Sequence, residues 1–548
     1  MRNNRFFGFC VSMIALAMAG CTPQADWFSE YGDAPTGEPV QIMSGAHYDD
    51  MRMYGGFDAS EYGIPSIDSG APVQNIAVMV PLSGTYADIG RDIRMAVESA
   101  YLQRPVAGAA ITFYDIARDR DATISAALAT NPAIIIGPVF ADDVRALRSA
   151  KPVGTPVLAF SSDTDAIGNG VMTMALMPTQ SIEAIAREMS RDKIKHMLIV
   201  APASQSGKIM AGTAIVAAEI YGMDVAGMLY YTEKDSDSIK NAAHRASLFE
   251  QRTAANTRAR EILADILTNE ELTAAEKDSL TRQLEKISKS ETLGRAPFDA
   301  VLFLGDGADS KTLASFLRYY GVGTRDARFY GTALWDGADI IDDFSMSGAK
   351  FATLPDMSAA FSTTYAQLSG MAPGRLASFG YDATNLATGM IASDKTNAAY
   401  LLDPSGYRGI DGLVRMTPHG ANERALRIVQ LNATPTPTPV RDAAQNFMTP
   451  LYNIDQRKIT PAREIEMRTR GINPDDFIKI PQRFADKYRS QTYGATIEDD
   501  SGPSAHAMTP VVISATENDA AIMAAPEFQP ASLETVRRTY IDTVEIGE

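Results

Sequence analysis

Cysteine is nearly absent from this chain: of 548 residues only Cys10 and Cys21 are cysteines, and both fall within the first 21 positions. The body beyond them has no thiol for a disulfide, a thiolate metal ligand or a nucleophile, so its stability has to come from packing. Histidine is scarce too. His47, His196, His244, His419 and His506 stand apart without ligand spacing, which argues against a zinc or iron centre. No Gly-x-Ser-x-Gly elbow occurs. Ser204-Gln205-Ser206-Gly207-Lys208 lacks the glycine spacing and the terminal Ser/Thr of a phosphate loop, and Gly305-Asp306-Gly307 lacks the third glycine of a dinucleotide fingerprint. Basic residues are outnumbered, 50 against 67, and a net charge of −17 repels nucleic acid and anionic headgroups. No apolar run after residue 21 reaches membrane-spanning length. These absences predict no metal, no cofactor, no catalytic residue and no nucleic-acid partner.

What is present begins at the N-terminus. Arg2 and Arg5 precede an apolar stretch at 6–17, which ends in Met18-Ala19-Gly20-Cys21. A basic start, a short apolar run and small residues at the end are the grammar of an export signal. The last four residues resemble the lipobox of bacterial lipoproteins. That resemblance implies removal of residues 1–20 and acylation of Cys21, and several acyl chains hold a protein on a bilayer far more firmly than one. Thr22 stands where an aspartate would favour the inner membrane, so the resemblance implies an outer-membrane anchor facing the periplasm.

From Cys21 to residue 73 the chain is rich in Gly, Pro, Asp and Ser without periodicity, which predicts a flexible tether. Across 74–432, short β-branched runs (75–80, 110–114, 133–137, 156–160, 196–200, 225–231, 298–304, 328–331) alternate with amphipathic stretches. Near-continuous apolar strands joined by helices predict parallel sheets covered on both faces. Two such series predict an α/β fold of two Rossmann-like lobes. Residues 239–296 interrupt the rhythm with helical spacing at Ile262/Ile266, Leu263/Leu267 and Leu280/Leu284/Ile287, and Thr273 with Glu276 matches a capping box. This predicts a helical hairpin inserted in the second lobe, either a solvated flap or a partner-docking element. Threonine-proline repeats from residue 433 open an expected linker, with short helices at Pro461 and Pro474, and an acidic tail expected to be largely disordered runs to residue 548.

Ala77-Val78-Met79-Val80-Pro81-Leu82-Ser83-Gly84 followed by Tyr86-Ala87-Asp88-Ile89-Gly90 resembles the opening of type I periplasmic binding proteins, in particular the leucine-binding branch. The order of Ile134-Ile135-Ile136-Gly137-Pro138, Pro156 to Ser162, Phe298 to Phe303 and Ser378 to Ala383 fits the same pattern. Tyr330 to Asp336, Arg375 to Asp382 and Asp403 to Gly412 resemble the lipoproteins called penicillin-binding protein activators. The first resemblance implies a candidate cleft at Ser83, Gly84, Tyr86, Phe140, Ala141, Asp142, Ser161, Ser162, Asp163, Thr164, Ser206, Asp306, Trp335 and Asp336, framing a site for a small-molecule ligand. The sequence departs from amino-acid binders there. Val139-Phe140-Ala141-Asp142 replaces their hydroxyl residues, Ser206 stands where a tyrosine would close the cleft, and no acid stands near Ala333 to hold an ammonium group. An ammonium buried without a partner is costly enough to remove micromolar affinity. The second resemblance implies a non-catalytic activator of a bifunctional peptidoglycan synthase, acting from the membrane through its lipid. The alternative is the solute-binding lipoprotein of an ABC importer for branched-chain amino acids or related small molecules.

Overall fold

Each β-branched run becomes a buried strand, and the amphipathic stretches cover the resulting sheets. The computed structural model describes residues 40–43, 73–338, 340, 343–432, 434, 436–447, 450–468 and 477–489. The signal, Cys21, most of the tether, Pro474 and the acidic tail lie outside these residues.

Lobe one contains β1 (Val40–Met43), β2 (Gln74–Val80), α1 (Ala87–Gln103), β3 (Ala109–Asp115), α2 (Arg120–Ala129), β4 (Ile134–Ile136), α3 (Ala141–Ala150), β5 (Val157–Ala159) and β6 (Val171–Thr173). Its strand order is β1-β3-β2-β4-β5-β6. All pairs are parallel except β1 on β3. Residues 40–43 of the expected tether are thus a strand, because β3 would otherwise present an open edge.

Lobe two contains α4 (Pro178–Arg191), β7 (His196–Pro202), α5 (Gln205–Ile220), β8 (Asp224–Tyr231), α6 (Ser236–Ala246), α7 (Phe249–Leu267), α8 (Ala274–Ser288), β9 (Ala300–Phe303), α9 (Gly307–Tyr319), β10 (Arg328–Gly331) and β11 (Lys350–Thr353). The chain then returns. α10 (Ala359–Ser369) and α11 (Arg375–Ala392) pack on α1, with Phe379, Ala383 and Ala387 joining Ile93 and Val97 in the lobe-one core. β12 (Tyr407–Gly409), β13 (Gly412–Met416) and β14 (Asn422–Arg424) form a small antiparallel sheet. β15 (Arg427–Gln430) and β16 (Thr438–Arg441) extend the lobe-two sheet, in the order β16-β15-β11-β10-β9-β7-β8.

Three expectations need correction. The insertion does not start at residue 239, because Ile239, Ala242, Ala243 and Ala246 of α6 belong to the lobe-two core. The hairpin is α7 and α8, with the Thr273–Glu276 capping box formed. Second, the stretch from residue 433 is built into lobe two rather than forming a linker. β16 adds a strand to one edge of its sheet, and at the opposite edge Met228 and Ile465 exchange backbone hydrogen bonds of 2.8 and 2.9 Å. Third, the residues after Pro461 are therefore extended and not helical: the open edge of β8 offers their backbone groups partners that a short helix would have to supply itself. Finally, α12 (Gln482–Arg489) and Ile478 lie against the hairpin, with Phe484 and Tyr488 among Leu263, Ile266 and Leu280.

Candidate functional site

In a doubly wound sheet, ligands bind outside the carboxyl ends of the strands, where neighbouring strands are connected in opposite directions. In lobe one that point lies between β2 and β4, and in lobe two between β7 and β9. The sequence candidates fall on the turns that follow these strands. Gly137 shows how tightly such a turn is drawn: its φ is +89°, and a Cβ there would sit 2.1 Å from the Met79 carbonyl oxygen.

On lobe one, Ser83 and Gly84 begin a 3-10 turn that carries Tyr86 into solvent, and the Tyr86 ring lies 4.7 Å from that of Phe140. Phe140 precedes α3 without supplying a side-chain cap, so the first amides of that helix are open. Asp142 and Asp143 already occupy its first turn, however. Arg145 donates to Asp142 (2.5 Å) and to Asp163 (2.8 Å), tying the α3 turn to the turn after β5. Burial raises the Asp143 carboxyl above its usual range, against the pull of Arg120. Ser161 is buried and turned inward, accepting from the Asp163 amide, while Ser162 is exposed. A ligand carboxylate entering here would meet fixed negative charge, not a vacant cation.

Lobe two presents capped helix starts instead. The Ser204 hydroxyl accepts from the Gly207 amide and lies 3.2 Å from the Ser206 hydroxyl, and Asp306 accepts from the Asp309 amide. Two candidates are placed elsewhere. Trp335 is 1% exposed, packs against Phe303 and Phe351, and donates its indole N–H to Ser310, so it belongs to the core. Asp336 pairs with Arg375 at 2.6 Å, and Arg375 also donates to the Pro355 carbonyl oxygen. The structure therefore brings together Tyr86 with Phe140, and Asp142 with Asp163, and separates both pairs from Trp335.

Sequence reasoning missed the hinge between the lobes. Arg424 and Asp411, each wholly buried, pair at 3.0 Å, and Arg424 also donates to the Met174 carbonyl oxygen and faces the Phe379 ring. Ser378 donates to Asp411. Gln180 donates to the Asn422 carbonyl oxygen and accepts from the Arg424 amide. Asp382 accepts from the Ile410 amide, and burial beside Asp411 pushes its carboxyl up to about 7. The signal was available: Asp382, Asp411 and Ser378 all stand inside the motifs quoted for the resemblance. Arg145 was legible as well, three residues after Asp142 on a helix. Among the described residues, no group of three or more His, Cys, Asp or Glu is placed to hold a metal ion, and no helix is long and apolar enough to cross a membrane.

With this geometry in view, the chain was compared with known proteins. The sequence model of a family described as "LppC putative lipoprotein" matches residues 69–403. No curated protein matches the chain by sequence. Among solved structures, a "putative branched-chain amino acid ABC transporter" of Rhodospirillum rubrum shares 16% identity at a TM-score of 0.52, over 67% of this chain and 100% of its own. The C-domain of LpoA of Haemophilus influenzae, described as a regulator of PBP1A, shares 16% identity over 67% of this chain and 100% of its own, at a TM-score of 0.45. The leucine-binding protein LivK of Thermotoga maritima shares 14% identity over 66% and 96%, at a TM-score of 0.43.

Proposed function

Since the chain belongs to the LppC lipoprotein family and carries the type I periplasmic binding protein fold, we propose that it is a non-catalytic activator of a bifunctional peptidoglycan synthase. In this reading it is held by lipid on Cys21 at the outer membrane and faces the periplasm. Family membership is the observation that carries the reading. The lobe-one crevice supports it: the place where a solute-capturing protein of this fold would grip a carboxylate is filled by the Asp142–Arg145–Asp163 ion pairs. The surfaces of both lobes are then available to another protein.

The test is glycan polymerisation by the purified synthase of the same bacterium, with and without the mature chain. Stimulation that saturates at a one-to-one ratio is expected, and an unchanged rate would overturn the reading. Crosslinking in cells distinguishes the alternative, since capture of an importer permease, with micromolar binding of leucine, isoleucine, valine or glutamate, would assign the chain to transport. Affinity for these amino acids should be no tighter than about 1 mM. Cys21→Ser should leave the protein in the soluble periplasmic fraction, and retention on membranes after a salt wash would remove the lipid-anchor assignment.

A further inference from the structure

Two atoms of the hinge cluster are left over, and they complement each other. Asp382 Oδ2 accepts from nothing and Arg424 Nε donates to nothing. Arg424 is 0% and Asp382 4% exposed, so only a neighbouring protein group can serve them. The remaining atoms of both side chains are engaged. Asp382 Oδ1 accepts from the Ile410 amide (3.1 Å), while Arg424 donates through Nη1 to Asp411 (3.0 Å) and through Nη2 to the Met174 carbonyl oxygen (2.7 Å). Met174 lies where the chain crosses from β6 of lobe one to α4 of lobe two.

Helical spacing brings the two orphans onto common ground. Phe379 and Asp382 are three residues apart on α11, and Ser378 and Asp382 four, so all three share one face. Ser378 donates to Asp411, and the Arg424 guanidinium lies 4.4 Å from the centre of the Phe379 ring. Arg424 therefore already rests on the α11 face that carries Asp382, and one guanidinium serves two carboxylates.

The elements packed against α11 supply no second cation for Asp382. β12 brings Tyr407, whose hydroxyl burial keeps neutral. α1 brings Arg94, which pairs with Glu98 at 2.8 Å, and Arg104, which acts on Tyr381; α10 brings Tyr365, which donates to Asp92. Burial, and then Asp411, raises the Asp382 carboxyl. The arrangement with Arg424 on Asp411 is thus the one that suits a protonated Asp382, and an ionised Asp382 competes for the same guanidinium.

We propose that Arg424 exchanges between Asp411 and Asp382 under control of the Asp382 proton, and that the exchange loosens the crossing between the lobes. When the proton passes to water, the guanidinium turns on the Phe379 ring, Nε meets Asp382 Oδ2 and Nη2 leaves Met174. Asn422, which donates to the carbonyl oxygens of Thr173 and Ala175, then holds this crossing without Arg424. The device is independent of the synthase reading.

The test is the inter-lobe distance in the full mature chain, read by double electron–electron resonance between spin labels at Ser125→Cys on α2 and Ser315→Cys on α9, both exposed, with Cys21→Ser so that no native thiol is labelled. The distance distribution should widen reversibly as pH rises from about 5 to about 9, a range that brackets the folded titration of Asp382. Asp382→Asn should keep the narrow distribution throughout. His419, in the turn before β14, titrates in the same range, and His419→Gln should leave the widening intact. If Asp382→Asn fails to fold, Asp411→Asn decides: with its rival gone, Arg424 stays on Asp382 and the pH response is lost. A distribution that ignores pH, one that widens as fully in Asp382→Asn or Asp411→Asn, or a response abolished by His419→Gln would each overturn the proposal.

Discussion

The two lobes are the same construction made twice, and what distinguishes them lies almost entirely outside the repeated part. Both sheets run second-first-third-fourth-fifth strand, as β3-β2-β4-β5-β6 and β8-β7-β9-β10-β11. In both, the first strand leads into a proline, Pro81 or Pro202, whose carbonyl lies under a glycine of the next helix. A Cβ at Gly90 would stand 1.9 Å from the Pro81 oxygen, and one at Gly207 2.1 Å from the Pro202 oxygen. The lobes part company at their turns and edges. Lobe one leaves the start of α3 uncapped and ties down its acids with Arg145, while lobe two caps α5 with Ser204 and α9 with Asp306 and carries the hairpin, β15, β16 and the wrapping segment. A fold is set by its repeated strands and helices, and the chemistry by a handful of turn residues that the repeat does not constrain.

The seam between the lobes is where this equivalence should break most severely. Arg424→Ala leaves Asp411 buried and uncompensated, and should cost about 3–5 kcal/mol in denaturant unfolding. A loss under about 1 kcal/mol would mean the hinge is open to water. Next in size, Gly90→Ala and Gly207→Ala should each cost about 1–3 kcal/mol, because a methyl group must displace a backbone carbonyl. Similar losses would sharpen the parallel between the lobes, and a large difference would break it.

The pH dependence of the hinge is a smaller effect. Asp382 titrates at about 7 when folded, raised first by burial and then by Asp411 against the pull of Arg424, whereas an unfolded aspartate titrates near ~3.9. The folded state holds the extra proton between these values, so stability should fall as pH rises from about 4 to about 7. Asp382→Asn should flatten that slope, and an unchanged slope would remove Asp382 from the account. The smallest effect is expected at the hairpin. Asn256 Nδ2 donates to the Ile287 carbonyl oxygen at 3.2 Å, so a short Gly/Ser loop can replace residues 258–286 without pulling the ends apart. The main melting transition should stay in place while residues 477–489, robbed of their platform, become sensitive to protease. Unfolding of the whole body would show that the hairpin supports lobe two. If the hairpin docks a synthase, stimulation is lost with it.

The strand series and the Thr273–Glu276 capping box are legible because both are local: continuous burial on both faces of a sheet and a three-residue side-chain reach leave their mark in consecutive residues. β6 (Val-Met-Thr), β11 (Lys-Phe-Ala-Thr) and β12 (Tyr-Arg-Gly) escape such a reading because each is three or four residues long and lacks the run of β-branched residues that marks the equally short β4. The resemblance places Trp335 in the cleft, yet a large apolar ring gains more from the space beside Phe303 and Phe351 than from a wet crevice.

By itself the sequence determined the alternation of strand and helix, hence two α/β lobes, and the amphipathic hairpin, since propensity and periodicity act over a few residues. Only the tertiary structure decided that Arg424 meets Asp411, that Arg145 locks the lobe-one crevice, and that residues 438–468 close both edges of the lobe-two sheet. The worth of a charge depends on its burial and its partner, and an open strand edge accepts whichever backbone reaches it; both are set by segments that meet in space and stand far apart in the chain.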